Sequence, residues 1–228
     1  MEKIIYIAED DPNIRNLEEA FLEKSGYKVL CFENGDLLYD KFKKDPADLV
    51  ILDIMMPGTD GLSLCATLRK ESSVPIIIVS AKGSDMERVA GITMGCDDYM
   101  AKPFSPIELV ARVQAIFRRM AMMTPDKSSD DILICGDLKI DKARREVTKD
   151  GKTVDLTPNE FNLISYLALN SARAVSRDEL LKELWKFGSS DVDTRATDDA
   201  MKRLRKKLSE CGSEVKIETV RGFGFRIG

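Results

Sequence analysis

The chain has 228 residues, 43% hydrophobic and 32% charged with a net charge of −4, a composition typical of a soluble protein of one or two domains. It contains no histidine, which excludes histidine general bases, zinc–histidine sites and a phosphohistidine of its own. Five scattered cysteines without a C-x-x-C pair, and no apolar run near the roughly 20 residues that span a bilayer, predict a cytoplasmic protein with reduced thiols and no membrane contact.

Apolar runs alternate with amphipathic stretches through the first 120 residues. They predict strands at 4–8, 27–32, 49–53, 75–80 and 98–102, and helices at 12–25, 35–44, 61–71, 84–94 and 105–119. Five such repeats with short connections predict an α/β fold, a doubly wound five-stranded parallel sheet with helices on both faces. Asp11, followed by Pro12, predicts the N-cap of the first helix.

Acidic, hydroxyl and lysine side chains follow the predicted strands. Glu9 and Asp10 follow the first strand, Asp53 ends the third, Ser80 the fourth, and Lys102 follows the fifth. Ligands of doubly wound sheets bind outside the carboxyl ends of the strands. Three carboxylates that meet there repel one another, and Mg²⁺, which takes hard oxygen ligands, would relieve the repulsion. For any one of these acids alone, a helix cap or a solvated position is the preferred interpretation.

In this order the motifs resemble the receiver domain of two-component response regulators. They are EDD at 9–11, LDIMMPGTDG at 52–61, SAK at 80–82 and DDYMAKPF at 97–104. The resemblance implies a flavodoxin-like fold in which Asp53 is phosphorylated. It also implies that Mg²⁺ is bound by Glu9, Asp10, Asp53 and the backbone carbonyl of Met55.

The same resemblance implies roles for residues of the last two strands. Lys102 would neutralise phosphoryl charge, Ser80 would donate its hydroxyl, and Tyr99 would be an aromatic switch. Without the resemblance, Lys102 is equally a salt-bridge partner of Asp53, and Tyr99 is half-buried packing. The bond before Pro103 corresponds to a cis peptide of the family.

In the OmpR/PhoB subfamily, the fourth helix, fifth strand and fifth helix form a dimer through ion pairs. The resemblance therefore implies a homodimer on activation. The candidate interface residues are Arg88, Asp97, Asp98, Glu108, Arg112 and Arg119. The alternative is an ordinary solvated surface of mixed charge.

Residues 121–131 have no hydrophobic period and predict a linker between a receiver at 1–120 and a second domain at 132–228. Residues 1–120 carry 15 Lys and Arg against 20 Asp and Glu, whereas the last 28 residues carry 8 against 3. This asymmetry predicts different partners for the two domains.

The second domain reads as α+β. Antiparallel strands with a tight turn at Asp150-Gly151 precede two helices that begin at capping boxes, Thr157 to Glu160 and Ser176 to Glu179. A third helix at 194–210 and a terminal hairpin follow.

The third helix is apolar on one face and basic on the other. Its apolar stripe, predicted to pack on the other helices, is Thr197, Met201, Leu204 and Leu208. With DELLKELW at 178–185, MKRLRKKL at 201–208 and TVRGFGFR at 219–226, the domain resembles the winged helix-turn-helix of the OmpR/PhoB family. The resemblance implies binding of double-stranded promoter DNA by the third helix and the hairpin wing. The implied contacts are Arg195, Lys202, Arg203, Arg205, Lys206, Thr219 and Arg221.

Two acids depart from the family pattern on this helix. Asp198 and Asp199 occupy positions that often carry apolar or base-reading side chains, so an operator sequence cannot be carried over. Asp199 is consistent with a pair to Arg203 or with accepting from a cytosine amino group; we favour the pair. Residues 186–194 correspond to a loop that meets RNA polymerase.

The sequence therefore predicts a transcription factor, not a metabolic enzyme, phosphorylated on Asp53 by a partner sensor histidine kinase. One alternative is a DNA-binding protein whose receiver is vestigial. Another is an enzyme on the same architecture, but a flavodoxin would have a phosphate loop in place of the acids at 9–11. A haloacid-dehalogenase-like phosphatase would have a second aspartate where Met55 stands. An RNA target is disfavoured because the wing and third helix offer no aromatic stacking platform.

Overall fold

A computed structural model describes residues 2–81, 85–121, 131–185 and 195–228. The chain forms two compact units, Met1–Ile116 and Phe117–Gly228. Among the described helices, none has both the length and the apolar character needed to cross a membrane.

The first unit is built around a parallel sheet. Its elements are β1 Ile4–Ala8, α1 Pro12–Lys24, β2 Lys28–Phe32, α2 Gly35–Lys44, β3 Leu49–Asp53, α3 Gly61–Glu71, β4 Ile76–Ser80, α4 Asp85–Met94, β5 Asp98–Ala101 and α5 Pro106–Ala121. The strand order is β2-β1-β3-β4-β5, with every neighbouring pair parallel. The predicted doubly wound fold is confirmed, and each element ends within two residues of its predicted limits.

The central strands are buried on both faces. Every residue of β3 and β4 is buried, which explains why these strands read as continuous apolar runs and not as alternating ones. The predicted cap at the first helix is confirmed, because Asp11 Oδ1 accepts from the backbone N–H of Asn13 at 2.7 Å and Pro12 is the first helical residue. The chain therefore turns sharply at the end of β1 and leaves Glu9 and Asp10 at the sheet edge.

A buried ion pair joins three elements of this unit. Arg69, at the end of α3, lies with Nη2 2.5 Å from Asp97 Oδ2, and both side chains are nearly inaccessible. The same carboxylate oxygen accepts from the backbone N–H of Ile76 at 3.0 Å, and Arg69 Nε donates to the carbonyl of Gly95 at 2.6 Å. The Asp97 carboxylate is therefore enclosed within its own unit, while its placement at a dimer face stays a prediction.

The second unit is α+β. Its elements are β6 Ile132–Cys135, β7 Leu138–Asp141, β8 Glu146–Lys149, β9 Lys152–Thr153, α6 Pro158–Leu169, β10 Val175–Ser176, α7 Arg177–Trp185, α8 Arg195–Glu210, β11 Ile217–Val220 and β12 Gly224–Ile227. β6 to β9 form an antiparallel sheet, and β10, β12 and β11 form a second one in that order. Together with three helices, this is the predicted winged helix-turn-helix fold.

Local signals account for most of these boundaries. Asp150 and Gly151 have φ of 51° and 78°, which gives the primed turn expected between β8 and β9. Thr157 and Glu160 form the predicted capping box, each side chain bonded to the other's backbone N–H.

The second predicted box forms only in half. The Ser176 hydroxyl accepts from the backbone N–H of Glu179 at 3.1 Å. The Glu179 carboxylate does not turn back to Ser176 but accepts from Tyr166 at 2.6 Å and from Arg173 at 2.5 Å. The carboxylate turns away from its own helix end because a charged arginine is a stronger partner than a backbone N–H. Its bond with Tyr166 connects α7 to α6.

The apolar stripe of α8 is confirmed. Thr197, Met201, Leu204 and Leu208 are all buried. Met201, Leu204 and Leu208 pack in a core shared with α6, α7 and both sheets, and the opposite, basic face of α8 lies toward solvent.

Removing Arg69 should destabilise the first unit strongly. Arg69→Ala leaves the buried Asp97 charge without its cation, and we expect the free energy of unfolding to fall by about 3–5 kcal/mol. The rate of amide hydrogen exchange in peptides covering β4 measures this loss of stability. Lys43→Ala, which removes the exposed pair with Asp40, is the matched control and should leave exchange at the wild-type rate. An Arg69 variant as stable as this control would contradict the prediction.

Candidate functional site

Three acidic side chains meet at the carboxyl edge of the sheet. Glu9, Asp10 and Asp53 each place one carboxylate oxygen within 4.8 Å of the others. β1 and β3 are adjacent, so Glu9, which follows β1, lies beside Asp53, which ends β3. Glu9 and Asp53 are buried, whereas Asp10 is exposed. The convergence expected from the sequence is therefore present in the fold.

Lys102 lies between two of these acids. Its Nζ is 2.6 Å from Glu9 Oε2 and 3.0 Å from Asp53 Oδ2. Burial raises the pKa of Glu9, and the Asp53 charge adds to this, while Lys102 opposes it. Burial disfavours the Lys102 cation, but the bonds to Glu9 and Asp53 outweigh it and raise the lysine pKa. Lys102 is therefore a cation at neutral pH, and its ammonium contacts both acids.

One oxygen of Asp53 remains available. Asp53 Oδ1 is buried and accepts no hydrogen bond from any described residue. A buried carboxylate oxygen without a partner is costly unless a cation or another group completes it. Lys102 contacts the other oxygen, Oδ2, and the Asp53 carboxylate belongs to a cluster of hard oxygen donors. The donor set fits Mg²⁺, which prefers one or two carboxylates and retains several waters.

Backbone packing fixes the position of Asp53. Gly61, the first residue of α3, lies so close to β3 that a Cβ there would be 2.1 Å from the Asp53 carbonyl oxygen. Only glycine permits this approach, which explains the glycine of the TDG motif. Met55 lies in the intervening loop with its side chain 55% exposed, near the acids in sequence and open to solvent.

Ser80 and Tyr99 occupy the two strands beyond Asp53. Asp53 pairs with Val79 in the sheet register, so Ser80 ends the neighbouring strand one residue further on, and it is fully buried. The Tyr99 ring is buried and lies against Gly91 of α4, where an added methyl would be 3.3 Å from Tyr99 Cδ2. The Lys102-Pro103 bond is cis.

The remaining candidates for a dimer face form pairs within the chain. Arg112 Nη1 lies 2.9 Å from Asp98 Oδ1, and Arg112 Nη2 lies 2.7 Å from Glu108 Oε1. These side chains are one-quarter to one-half exposed and therefore accessible to a partner. The side chains of Arg88 and Arg119 lie outside the described part of the chain.

Sequence reasoning missed a buried acid near the cluster. Glu18 of α1 is 1% exposed, and neither carboxylate oxygen bonds to a described residue. Burial, with the Glu9 charge, raises the pKa of Glu18 to about 8, so it is mostly protonated at neutral pH. The spacing in the sequence could have indicated this burial. Glu18 lies four residues after Ile14 and four before Leu22, so it shares the inward face of α1 with them.

The candidate nucleic-acid interface combines α8 and the β11–β12 wing. Lys202 and Lys206 are exposed on α8, Arg203 is partly exposed, and Thr219 and Arg221 are exposed on the wing. Arg205 is turned toward the wing, where its Nη2 donates to Thr219 Oγ1 at 2.9 Å. The Arg195 side chain and residues 186–194, the segment compared with a polymerase-binding loop, lie outside the described part of the chain.

Comparison with known families identifies a domain in each half of the chain. Residues 5–114 match the response regulator receiver domain, and residues 151–227 match the C-terminal domain of transcriptional regulatory proteins. The chain is therefore a two-component response regulator with a receiver and a DNA-binding domain of the OmpR type.

Related proteins extend over the whole chain. The transcriptional regulatory protein ResD of Bacillus subtilis is 40% identical over 99% of this chain and 95% of its own length. The sensory transduction protein RegX3 of Mycolicibacterium smegmatis is 36% identical over 98% of both. The crystal structure of DrrB, a Thermotoga maritima OmpR/PhoB homolog, matches with a TM-score of 0.51 and 28% identity over 99% of each chain. The chain belongs to the OmpR/PhoB family of response regulators.

Glu18 should make receiver stability depend on pH. Its native pKa of about 8 exceeds the ordinary 4.5, so the native state retains a proton that the unfolded chain releases, and stability falls as pH rises from about 4.5 to 8. Glu18→Gln mimics the protonated form. We expect it to raise the free energy of unfolding by about 1 kcal/mol at pH 5 and about 3 kcal/mol at pH 7.

Urea unfolding followed by circular dichroism measures this difference, while fluorescence of the sole tryptophan, Trp185, reports the second unit separately. Glu19→Gln, at the next position of the same helix, is the control. A gain that does not vary with pH would contradict the pKa assignment.

Proposed function

We propose that the receiver is phosphorylated on Asp53 by a histidine kinase and that phosphorylation controls binding of promoter DNA by the second domain. The boundaries we propose are 1–120 for the receiver, 121–131 for the linker and 132–228 for the winged helix. The observation that carries the proposal is the buried Asp53 Oδ1, which accepts no hydrogen bond from a described residue, while Lys102 engages Asp53 Oδ2 and Glu9 Oε2.

In the proposed transfer, Asp53 Oδ1 forms a bond to phosphorus while the P–N bond to the kinase imidazole breaks, and the leaving nitrogen takes a proton. The donor histidine must belong to the partner, because this chain contains none. Asp53 is a weak nucleophile, so positioning and charge neutralisation supply the catalysis. Lys102 can follow the charge, moving from the carboxylate oxygens toward the phosphoryl oxygens.

Glu9, Asp10, Asp53 and the Met55 carbonyl would hold Mg²⁺ in this site. When bound, the ion would offset both the carboxylate charges and a phosphoryl oxygen. Glu9 and Asp10 contribute only ligand oxygens, whereas Asp53 is also the nucleophile. The chemistry is confined to phosphorylation and dephosphorylation of the chain itself, without a separate metabolic substrate.

Phosphorylation adds a charge of about −1.5 to −2 and three strong acceptors beside Ser80 and Lys102. The Ser80 hydroxyl would turn to donate to one acceptor, and Tyr99 would rotate into the space that opens toward α4. The buried position of both side chains supports this coupling, because neither can move without repacking β4, β5 and α4.

The active form we propose is a homodimer on two DNA half-sites about 10–10.5 base pairs apart. Asp98, Glu108 and Arg112 would exchange their internal pairs for pairs across the interface, joined by Arg88 and Arg119. RNA polymerase would contact the segment 186–194. Lys202, Arg203, Lys206 and Arg221 would supply phosphate or base contacts.

Asp53→Asn should abolish phosphorylation. Amide nitrogen cannot replace the carboxylate nucleophile, so incubation of the variant with ³²P-labelled acetyl phosphate and Mg²⁺ should give no covalent label. Wild type should gain label with time, and added EDTA should stop further labelling because it removes Mg²⁺.

Asp40→Asn, a change to an exposed acid of α2 paired with Lys43, is the matched control and should label like wild type. Full labelling of the Asp53 variant would place the acceptor elsewhere.

Phosphorylation should also drive dimerisation through Arg112. With beryllofluoride and Mg²⁺ as the phosphoryl mimic, wild type should sediment as a dimer, and Arg112→Ala should shift the midpoint to at least tenfold higher protein concentration. Lys41→Ala, which breaks an exposed pair on α2, is the control.

Equal dimerisation of both variants would remove this face from the interface. Operator affinity that does not change with beryllofluoride would favour the alternative of a vestigial receiver.

A further inference from the structure

One buried aromatic ring joins the helix α8 to the wing. Phe225 lies in β12, the middle strand of its sheet, and is 1% exposed. The guanidinium carbon of Arg177 lies 4.8 Å from the ring centroid, and that of Arg205 lies 5.6 Å from it. Both distances are within the range of attraction between a cation and an aromatic face. Two arginines from different helices therefore converge on one ring.

Arg205 crosses from α8 to the other wing strand. Its Nε donates to the Ile217 carbonyl at 2.8 Å, and its Nη2 donates to the Thr219 hydroxyl at 2.9 Å. Both acceptors belong to β11. A guanidinium is a planar fork, so two such bonds fix the angle between α8 and β11 as well as their separation. Arg205 and Thr219, both candidates for DNA contacts, thus bind each other.

Arg177 fastens the wing to the start of α8. Its backbone N–H donates to the carbonyl of Phe223, in the turn of the wing, at 3.2 Å. Its guanidinium donates to Asp198 Oδ1 through Nη2 at 2.8 Å and through Nε at 3.1 Å. Asp198 lies in the first turn of α8. The acid that seemed out of place on a DNA-binding helix therefore has a partner inside the domain.

Close backbone packing leaves this arrangement little freedom. A Cβ at Gly224 would be 1.9 Å from the Val175 carbonyl oxygen, so β12 lies directly against β10. Arg177 follows β10 and begins α7, which places its side chain beside Phe225 without further adjustment. The wing is fixed at its base on one side by Arg177 and on the other by Arg205.

We propose that Arg177, Asp198 and Arg205 are positioning residues. They hold the wing at a set angle to α8 so that Arg221 and the exposed lysines of α8 meet one duplex. Arg205 acts through Arg221 and not as an independent phosphate contact. This rests on the proposed DNA binding of the second domain.

A double-mutant cycle on the full chain tests the coupling. The probe is a duplex selected by wild type from a pool of random 40-base-pair sequences. Arg221→Ala should weaken binding about tenfold in wild type. Arg205→Lys keeps the charge but loses the fork, and it should also weaken binding; in its background Arg221→Ala should cost less than about twofold. Wild-type affinity of Arg205→Lys, or equal cost in both backgrounds, would overturn the proposal.

Amide exchange of the free chain gives a second, DNA-independent test. We call the contacts of Arg177, Asp198 and Arg205 with the wing the brace. Arg205→Lys and Asp198→Asn should each accelerate exchange of peptides covering 217–227 at least fivefold, since each removes one side of the brace. Lys202→Ala is the matched control, because it should leave exchange unchanged while lowering the salt dependence of binding by about one phosphate contact.

The two tests separate this inference from the proposed function. If wild type selects no duplex, DNA binding fails as a function, and the exchange rates still decide whether the brace exists. Unchanged exchange in both Arg205→Lys and Asp198→Asn would refute positioning whatever the DNA result. Should Arg205→Lys fail to fold, Thr219→Val and Asp198→Asn take its place in both tests, with the same expectations.

Discussion

The mutual repulsion of three carboxylates at one end of a parallel sheet is the constraint on which the receiver depends. The strand order brings the ends of β1 and β3 together, the turn capped by Asp11 follows Glu9 and Asp10 directly, and the close approach of Gly61 fixes the backbone at Asp53. Lys102 offsets part of the repulsion from a loop that follows β5. The site is thus held by charge balance and not by a network of neutral hydrogen bonds, and any added anion must change the partners of Lys102.

Much of this architecture was predictable from sequence because it depends on periodicity. β3 and β4 read as unbroken apolar runs since both faces are buried, and the stripe of α8 repeats at helical spacing. The acids at strand ends could be placed together because parallel strands bring their carboxyl ends to one edge. The capping box at Thr157 was readable because it is local, within four residues.

Contacts between distant elements were not predictable in the same way. Asp97 carries the same charge as Asp98 and follows the same pattern, but the strand turns one inward to Arg69 and the other outward to Arg112. The Glu179 carboxylate accepts from Tyr166 and Arg173 and not from the backbone at the start of its own helix. Arg205 looks like a DNA-facing residue by spacing, and only the fold shows Ile217 and Thr219 within its reach. Such choices depend on packing across elements, which one sequence does not encode in any short window.

The enclosed pair of Arg69 and Asp97 has a mechanical consequence for the edge strand. It anchors the residue just before β5 to the beginning of β4, while the opposite end of the strand leads into Lys102. The strand is therefore held at its first end by a buried ion pair and at its last end by a lysine that contacts two acids. A change in the partners of Lys102 would thus reach β5 at the end farthest from its anchor, four residues along the strand.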